Sequence, residues 1–261
     1  MIKKQIINSA KKIGIEKVGF TRDAVVALFP YYVNEQGGNI SAYARSLDYH
    51  IIAEEKLNIL AKELEKLGAS ETLVHVDKGM HDDRKAAYLA GLGFFGQNGM
   101  LICAEYGSYF FIGQIIHDLE LEPDEPQEMD CLQCGRCERE CPAKALRGGK
   151  VDAEKCVSAI SQKRGGLTAE EMLLIKKGGL CWGCDVCQKV CPHNRGLQTT
   201  AMPEFLTDRI DALSLDDLKD LSNSEFKKKY GRYAFSWRGK NVLIRNLQIL
   251  SSVAEENNEK E

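Results

Sequence analysis

Two cysteine runs constrain this chain more than anything else in it. Cys131, Cys134, Cys137 and Cys141, followed by Pro142, spell C-x-x-C-x-x-C-x-x-x-C-P, and Cys181, Cys184, Cys187 and Cys191, followed by Pro192, spell it again. Thiolates at this spacing let one loop wrap an iron–sulfur cubane while the last iron takes a more distant cysteine, and in two-cluster ferredoxins that fourth cysteine serves the other cluster. The pattern predicts a ferredoxin-like module with two 4Fe-4S clusters close enough to relay electrons. Structural zinc also uses C-x-x-C pairs, but the third and fourth cysteines and the proline fit the cluster run better. Eight of the ten cysteines fall in these runs, which in a reducing compartment means metal ligation rather than disulfides. Of the other two, Cys103 reads as a small buried hydrophobe in an apolar strand. Cys156, in DAEKCVSAI between the runs, is either a core cysteine or an extra ligand, so nine candidates compete for eight places.

The rest of the chain has to carry that module. With 261 residues, 44% of them hydrophobic, it can bury a substantial core. Thirty-five Lys and Arg against 38 Asp and Glu leave a net charge of -3, which excludes a general basic field for nucleic acid. Any RNA contact must be local. The best candidate is KKKYGRYAFSWRGK (227–240), where Lys227, Lys228, Lys229, Arg232, Arg238 and Lys240 interleave with Tyr230, Tyr233, Phe235 and Trp237; a solvated helix followed by a packed aromatic segment would read the same way. The N-terminal stretch breaks its apolar residues with Lys, Asn and Gln, so neither a signal-peptide core nor a membrane span is predicted and a cytoplasmic location is expected.

Periodicity predicts a helix over 2–13 and a long one over 49–67, closed by Gly14 and Gly68. Strands are expected at 18–20, 24–32 and 72–76, a helix at 84–92, and a hairpin over 100–116 turning at 105–108. Strands alternating with helices point to an N-terminal α/β domain over 1–121. Seven carboxylates and two prolines without periodicity over 118–130 mark a boundary. The ferredoxin-like double-cluster module then covers 122–200, and a C-terminal helical segment covers 201–261, giving a mixed α+β or α/β chain. GLGFFG (91–96) matches the dinucleotide-binding pattern, but it follows a helix and leads into a hairpin, so that reading is rejected.

Several strings are specific: SAYARSLDYH (41–50), VDKGMHDDRKAAYLAGLGFFGQNGMLI (76–102), GSYFFIGQIIHDLEL (107–121), both cysteine runs, DAEKCVSAI (152–160) and WGCDVCQKVCPHN (182–194). In this order they resemble the cobalamin-dependent epoxyqueuosine reductases, which remove the epoxide oxygen from a modified tRNA base. The resemblance implies one cluster on Cys131, Cys134, Cys137 and Cys191 and the other on Cys141, Cys156, Cys184 and Cys187, with no requirement at Cys181. It also implies cobalamin as cofactor, Asp77 as the catalytic acid, and Asp48, Tyr49, His50 and Arg84 in the cofactor pocket. A low-potential donor of the ferredoxin or flavodoxin type and tRNA follow as partners, and no membrane. From the residues alone, Asp77 ends a short strand, where open α/β sheets present their sites, and as a proton donor it needs burial. Arg84 could orient a carboxylate or bind a phosphate. The chain departs from the family pattern by a shorter stretch before SAYARSLDYH, by lacking the helical-repeat tail, by KGMH at 78–81 in place of a proline-containing turn, and by Gln97 where Lys is common. Two rival functions remain at this point: a non-catalytic two-cluster electron-transfer protein, and a corrinoid reductase acting on another substrate.

Overall fold

The computed structural model describes residues 1–34, 37–77 and 82–258, with side chains as far as Ser252; the KGMH string lies outside the described residues. Helix α1 (Ile2–Lys12) buries Ile6 and Ala10 and ends ahead of Gly14. Strands β1 (Lys17–Phe20) and β2 (Ala24–Pro30) form a hairpin, and α2 (Tyr49–Lys66) leads to β3 (Thr72–His75). Helix α3 (Asp83–Leu89), the two-residue strands β4 (Phe94–Phe95) and β5 (Leu101–Ile102), and β6 (Phe110–His117) follow.

The main sheet runs β1-β2-β6-β3, and each neighbouring pair is antiparallel. Since β2 and β3 both oppose β6, they run parallel to each other and are joined by the α2 crossover with β6 inserted between them. The alternation of strand and helix therefore reflects a split crossover unit within the mixed α and β fold expected from the sequence. Strand β6 takes the inner place because it is apolar on both faces and has a glycine where a helix must come close. A Cβ on Gly113 would stand 2.6 Å from Leu57 Cδ1. The expected hairpin over 100–116 is corrected accordingly: its turn closes through Cys103 N–H to Gly107 O at 2.7 Å, but β5 pairs with β4 and β6 joins the main sheet.

Strand β2 is buried throughout, and its period of two sends alternate side chains into different cores. Val25, Ala27 and Phe29 pack with Ile6, Leu57, Leu60 and Leu64 beneath α1 and α2. Ala24, Val26 and Leu28 pack with Ala87, Ala90, Leu92 and Cys103 beneath α3. Each fully buried leucine contributes about 1.5–3 kcal/mol relative to exposure.

The cysteine region carries α4 (Arg136–Glu140), the hairpin β7 (Leu146–Arg147) and β8 (Lys150–Val151), α5 (Val157–Ser161), α6 (Ala169–Gly178) and α7 (Val186–Lys189). Thr168 and Glu171 close a capping box on α6. Beyond it lie α8 (Asn223–Tyr230), capped by Ser222 and Glu225, and α9 (Lys240–Asn258). The cores run across the segments read from the sequence. Met202 and Phe205 pack under the N-terminal sheet, whereas Ile40 and Ala44 join Cys181, Trp182 and the apolar faces of α8 and α9. Among the described residues no helix is long and apolar enough to cross a membrane.

Candidate functional site

None of the ten cysteines is in a disulfide. The first run sits in a loop that curls through left-handed backbone at Gln133 (φ 49°) and Gly135 (φ 67°) before Cys137 enters α4, which packs on α7 of the second run. The thiols act on one another electrostatically within and across the two runs. Burial, then Cys131 and Cys191, raise the Cys137 pKa, and Cys191 is raised by burial and by Cys131 and Cys134. Cys184 is pushed up to about 11 by burial, with Cys156 and Cys141 adding to it. Cys187 reaches about 12 by burial, with Cys184, Cys156, Cys137 and Cys141 all adding. Thiols crowded and buried in this way hold their protons unless positive metal sits among them, which is the condition a cluster supplies. Among the described residues no three His, Cys, Asp or Glu groups close on the position of a single ion. In a cubane each thiolate faces its own iron.

Cys181 stands apart from both groups. It is fully buried in the core of α8 and α9, its N–H bonds to Asn39 O at 2.7 Å and its carbonyl accepts from Asn246 Nδ2 at 2.7 Å. Burial alone raises its pKa, to about 12, without a thiol neighbour. Cys103 lies in the core beneath α3, and its thiol donates to Glu105 Oε2 at 2.8 Å.

A cavity of about 520 Å³ opens where β3 ends, β6 begins and α2 and α3 start, lined by Tyr49, Asp77, Asp83, Arg84 and the apolar wall of Leu101, Phe110, Phe111 and Ile112. Tyr49 Oη donates to Asp77 Oδ2 at 2.6 Å. The Tyr49 ring stacks on Phe111 with centroids 4.0 Å apart and planes 4° apart, and on His50 at 4.1 Å. Burial first, then the bond to Asp77, push the phenol far above its ordinary pKa, so it remains a donor. Asp48 caps α2, accepting from His50 N–H at 3.0 Å and from His50 Nδ1 at 2.8 Å. Asp48 and His50 thus stand behind the wall and hold Tyr49 in it, while Tyr49 and Arg84 reach the cavity.

Asp77 is exposed, contrary to the burial expected of a donor. Val76 is the last buried residue of its segment, and Asp77 steps out past the sheet end in left-handed backbone, φ 49°, a conformation a non-glycine residue holds at a cost of order 1–3 kcal/mol. Its N–H donates to Asp83 Oδ2 at 3.0 Å. Asp83 in turn accepts from Gln114 Nε2 and lies 3.4 Å from His75 Nε2. Burial raises the Asp83 carboxyl pKa, while Gln114 and His75 lower it. Reading the sequence misses this brace. The signal was the acidic pair Asp82–Asp83 at a helix start, where carboxylates cap free N–H groups, and Asp82 does cap α3.

Arg84 is exposed and its Nη1 donates to Gly99 O at 2.7 Å. It also lines a second cavity of about 600 Å³ that reaches Phe95, Gln97, Cys131, Gln133 and Val151. Gln97 Oε1 is buried there without a hydrogen-bond partner among the described residues. A buried polar bridge ties the second cysteine run to the cavity wall: Gln188 Nε2 donates to Ser108 O at 2.9 Å and to Tyr31 Oη at 3.3 Å, and Asn194 accepts from Ser108 N–H at 2.7 Å.

Fold and thiol arrangement define an iron–sulfur protein, a double-cluster module docked on a mixed helix and sheet domain. The profile of the 4Fe-4S double cluster binding domain matches residues 130–194, and that of epoxyqueuosine reductase QueG matches residues 18–78. An epoxyqueuosine reductase of Lactococcus garvieae is 41% identical over 213 residues, 80% of this chain and 60% of that protein. The structure of epoxyqueuosine reductase from Streptococcus thermophilus superposes with a TM-score of 0.85 at 33% identity, covering 95% of this chain and 80% of the other. An epoxyqueuosine reductase solved with an epoxyqueuosine-modified tRNA-Tyr stem loop superposes with a TM-score of 0.86 at 30% identity and the same coverage. The chain belongs to the epoxyqueuosine reductase family, and it spans 60% of the length of the Lactococcus relative.

Proposed function

We propose that this chain is a cytoplasmic, cobalamin-dependent reductase that removes the epoxide oxygen of epoxyqueuosine in tRNA. Electrons enter from a low-potential donor of the ferredoxin or flavodoxin type and pass through two 4Fe-4S clusters. The observation that carries the reading is the Tyr49–Asp77 hydrogen bond on the wall of a cavity that meets, at Arg84, a second cavity lined by Cys131. Cys131, Cys134, Cys137 and Cys191 would hold one cluster and Cys141, Cys156, Cys184 and Cys187 the other, in keeping with the thiol neighbours of Cys137, Cys184 and Cys191 and with the reciprocal fourth ligand of two-cluster ferredoxins.

The adjoining cavities suit a corrinoid. Their apolar wall offers a flat face to a macrocycle, and Gln97 Oε1 can accept from the amides round its rim. When bound, it supplies the low-potential electron chemistry that breaks the carbon–oxygen bonds. The chain's own groups handle protons and position. Asp77 donates to the departing oxygen, Tyr49 orients the Asp77 carboxyl, and Asp83 holds its backbone. Two electrons and two protons convert the epoxide to an alkene and water. The test is anaerobic reduction of epoxyqueuosine tRNA with a low-potential donor and added cobalamin, with corrinoid binding followed by absorbance. Turnover is expected. Corrinoid binding without turnover would move the substrate, and no corrinoid binding would leave an electron-transfer protein.

A further inference from the structure

Trp182 is fully buried, whereas Trp237 is 54% exposed. The exposed indole is nevertheless held: its Nε1 donates to Gln162 Oε1 at 3.2 Å, and the Arg238 guanidinium lies 3.5 Å from its ring centroid. It borders a cavity of about 480 Å³ lined by four cations, Arg164, Lys227, Arg238 and Lys240, and, among the described residues, by no carboxylate. The nearby acid Glu225 is engaged in capping α8 through Ser222 N–H. Lys240 Nζ bonds to Leu221 O, while Arg238 Nε is buried without a hydrogen-bond partner among the described residues. In a chain of net charge -3, this is a local cationic site beside a fixed aromatic surface.

We infer that this cavity is a subsite for an unpaired RNA nucleotide, its phosphate on Arg164, Lys227 and Arg238 and its base stacked on Trp237. Cations that track phosphate beside an aromatic ring that takes any base are the two components of single-strand binding. The site is also tied to the redox module: Gln162 is the C-cap of α5, whose N-cap is Cys156, and its Nε2 donates to Tyr43 Oη at 3.3 Å. The inference rests on the reading that the substrate is an RNA and identifies where its unpaired loop is gripped away from the reacting base.

The full chain is titrated with an unmodified RNA stem-loop, with a fully paired duplex of equal length, and with inorganic tripolyphosphate, following tryptophan fluorescence for wild type, and the stem-loop affinities of wild type and variants are read by filter binding of labelled RNA. The stem-loop should quench and the other two should not. Trp237→Ala should weaken stem-loop affinity by about 5- to 100-fold, from the usual worth of one stacked base, and Trp237→Tyr should restore most of it. Arg238→Gln should lower the slope of log affinity against log salt by about one. Equal affinity of wild type and Trp237→Ala, or equal quenching by duplex or tripolyphosphate, overturns the subsite. The binding assay contains no epoxide, so its failure is separate from failure of turnover.

Discussion

The cysteine module and the Asp77 cavity encode their chemistry in opposite ways. In the module the reacting groups are close in sequence: Cys131, Cys134 and Cys137 lie on one curled loop and its short helix. In the cavity the proposed groups come from three places, Tyr49 at the start of α2, Asp77 beyond β3 and Asp83 in α3, and meet only in the folded chain. A local motif survives changes elsewhere in the chain, whereas an assembled site depends on every element that brings its parts together.

The sharpest test of the assembled site is Asp77→Asn. It should lower epoxyqueuosine reduction by about 10²–10⁴-fold, the usual worth of one positioned acid, while iron content and corrinoid binding stay unchanged. Wild-type rates would remove Asp77 from the chemistry and leave the cavity a binding site alone.

The module is tested next, at the one point where motif and structure part. Cys156→Ala should abolish one of the two clusters, halving iron and acid-labile sulfide and removing one set of EPR signals after reduction. Cys181→Ala should keep both. The reverse result would mean that the second run binds its metal as a simple motif and that Cys156 is a core residue.

The seam between the regions gives a smaller effect. Gln188→Ala leaves Ser108 and Tyr31 groups without their buried donor, which should cost about 1–3 kcal/mol of stability in anaerobic denaturant unfolding. An unchanged midpoint would show that the bridge is not needed to seat the module on the cavity wall.

The smallest expected effect concerns pH. The Asp83 carboxyl pKa is raised by burial, so the folded chain binds this proton more tightly than the unfolded chain. Its contribution to stability is greatest below the ordinary carboxylate range and is lost as pH rises through its folded value. Comparing unfolding midpoints of wild type and Asp83→Asn across acidic pH should show a difference that follows this direction. A difference of the opposite slope would place Asp83 in a net ion pair with His75.

Much of the frame was legible without coordinates, because helix ends and buried stripes are local signals. The 3.6-residue period of Leu57, Leu60 and Leu64 needs only the helix to be read, and α2 ends at Lys66 ahead of Gly68 as that period implies. Sheet order was not legible. An apolar run such as Phe110 to Ile116 states that both faces are covered, not which strands cover its edges. Asp83 and Gln114 escaped for the same reason: nothing in their spacing, 31 residues apart, shows that they share a hydrogen bond.

By itself the amino-acid sequence determined that this chain carries a double 4Fe-4S module of the epoxyqueuosine reductase kind, since closely spaced thiolates on two short loops, each lending its last cysteine to the other, are visible as a repeated motif. Only the tertiary structure decided that Cys181 is buried against Asn39 and Asn246, and that Tyr49 reaches Asp77. Burial and hydrogen-bond geometry are properties of packed elements.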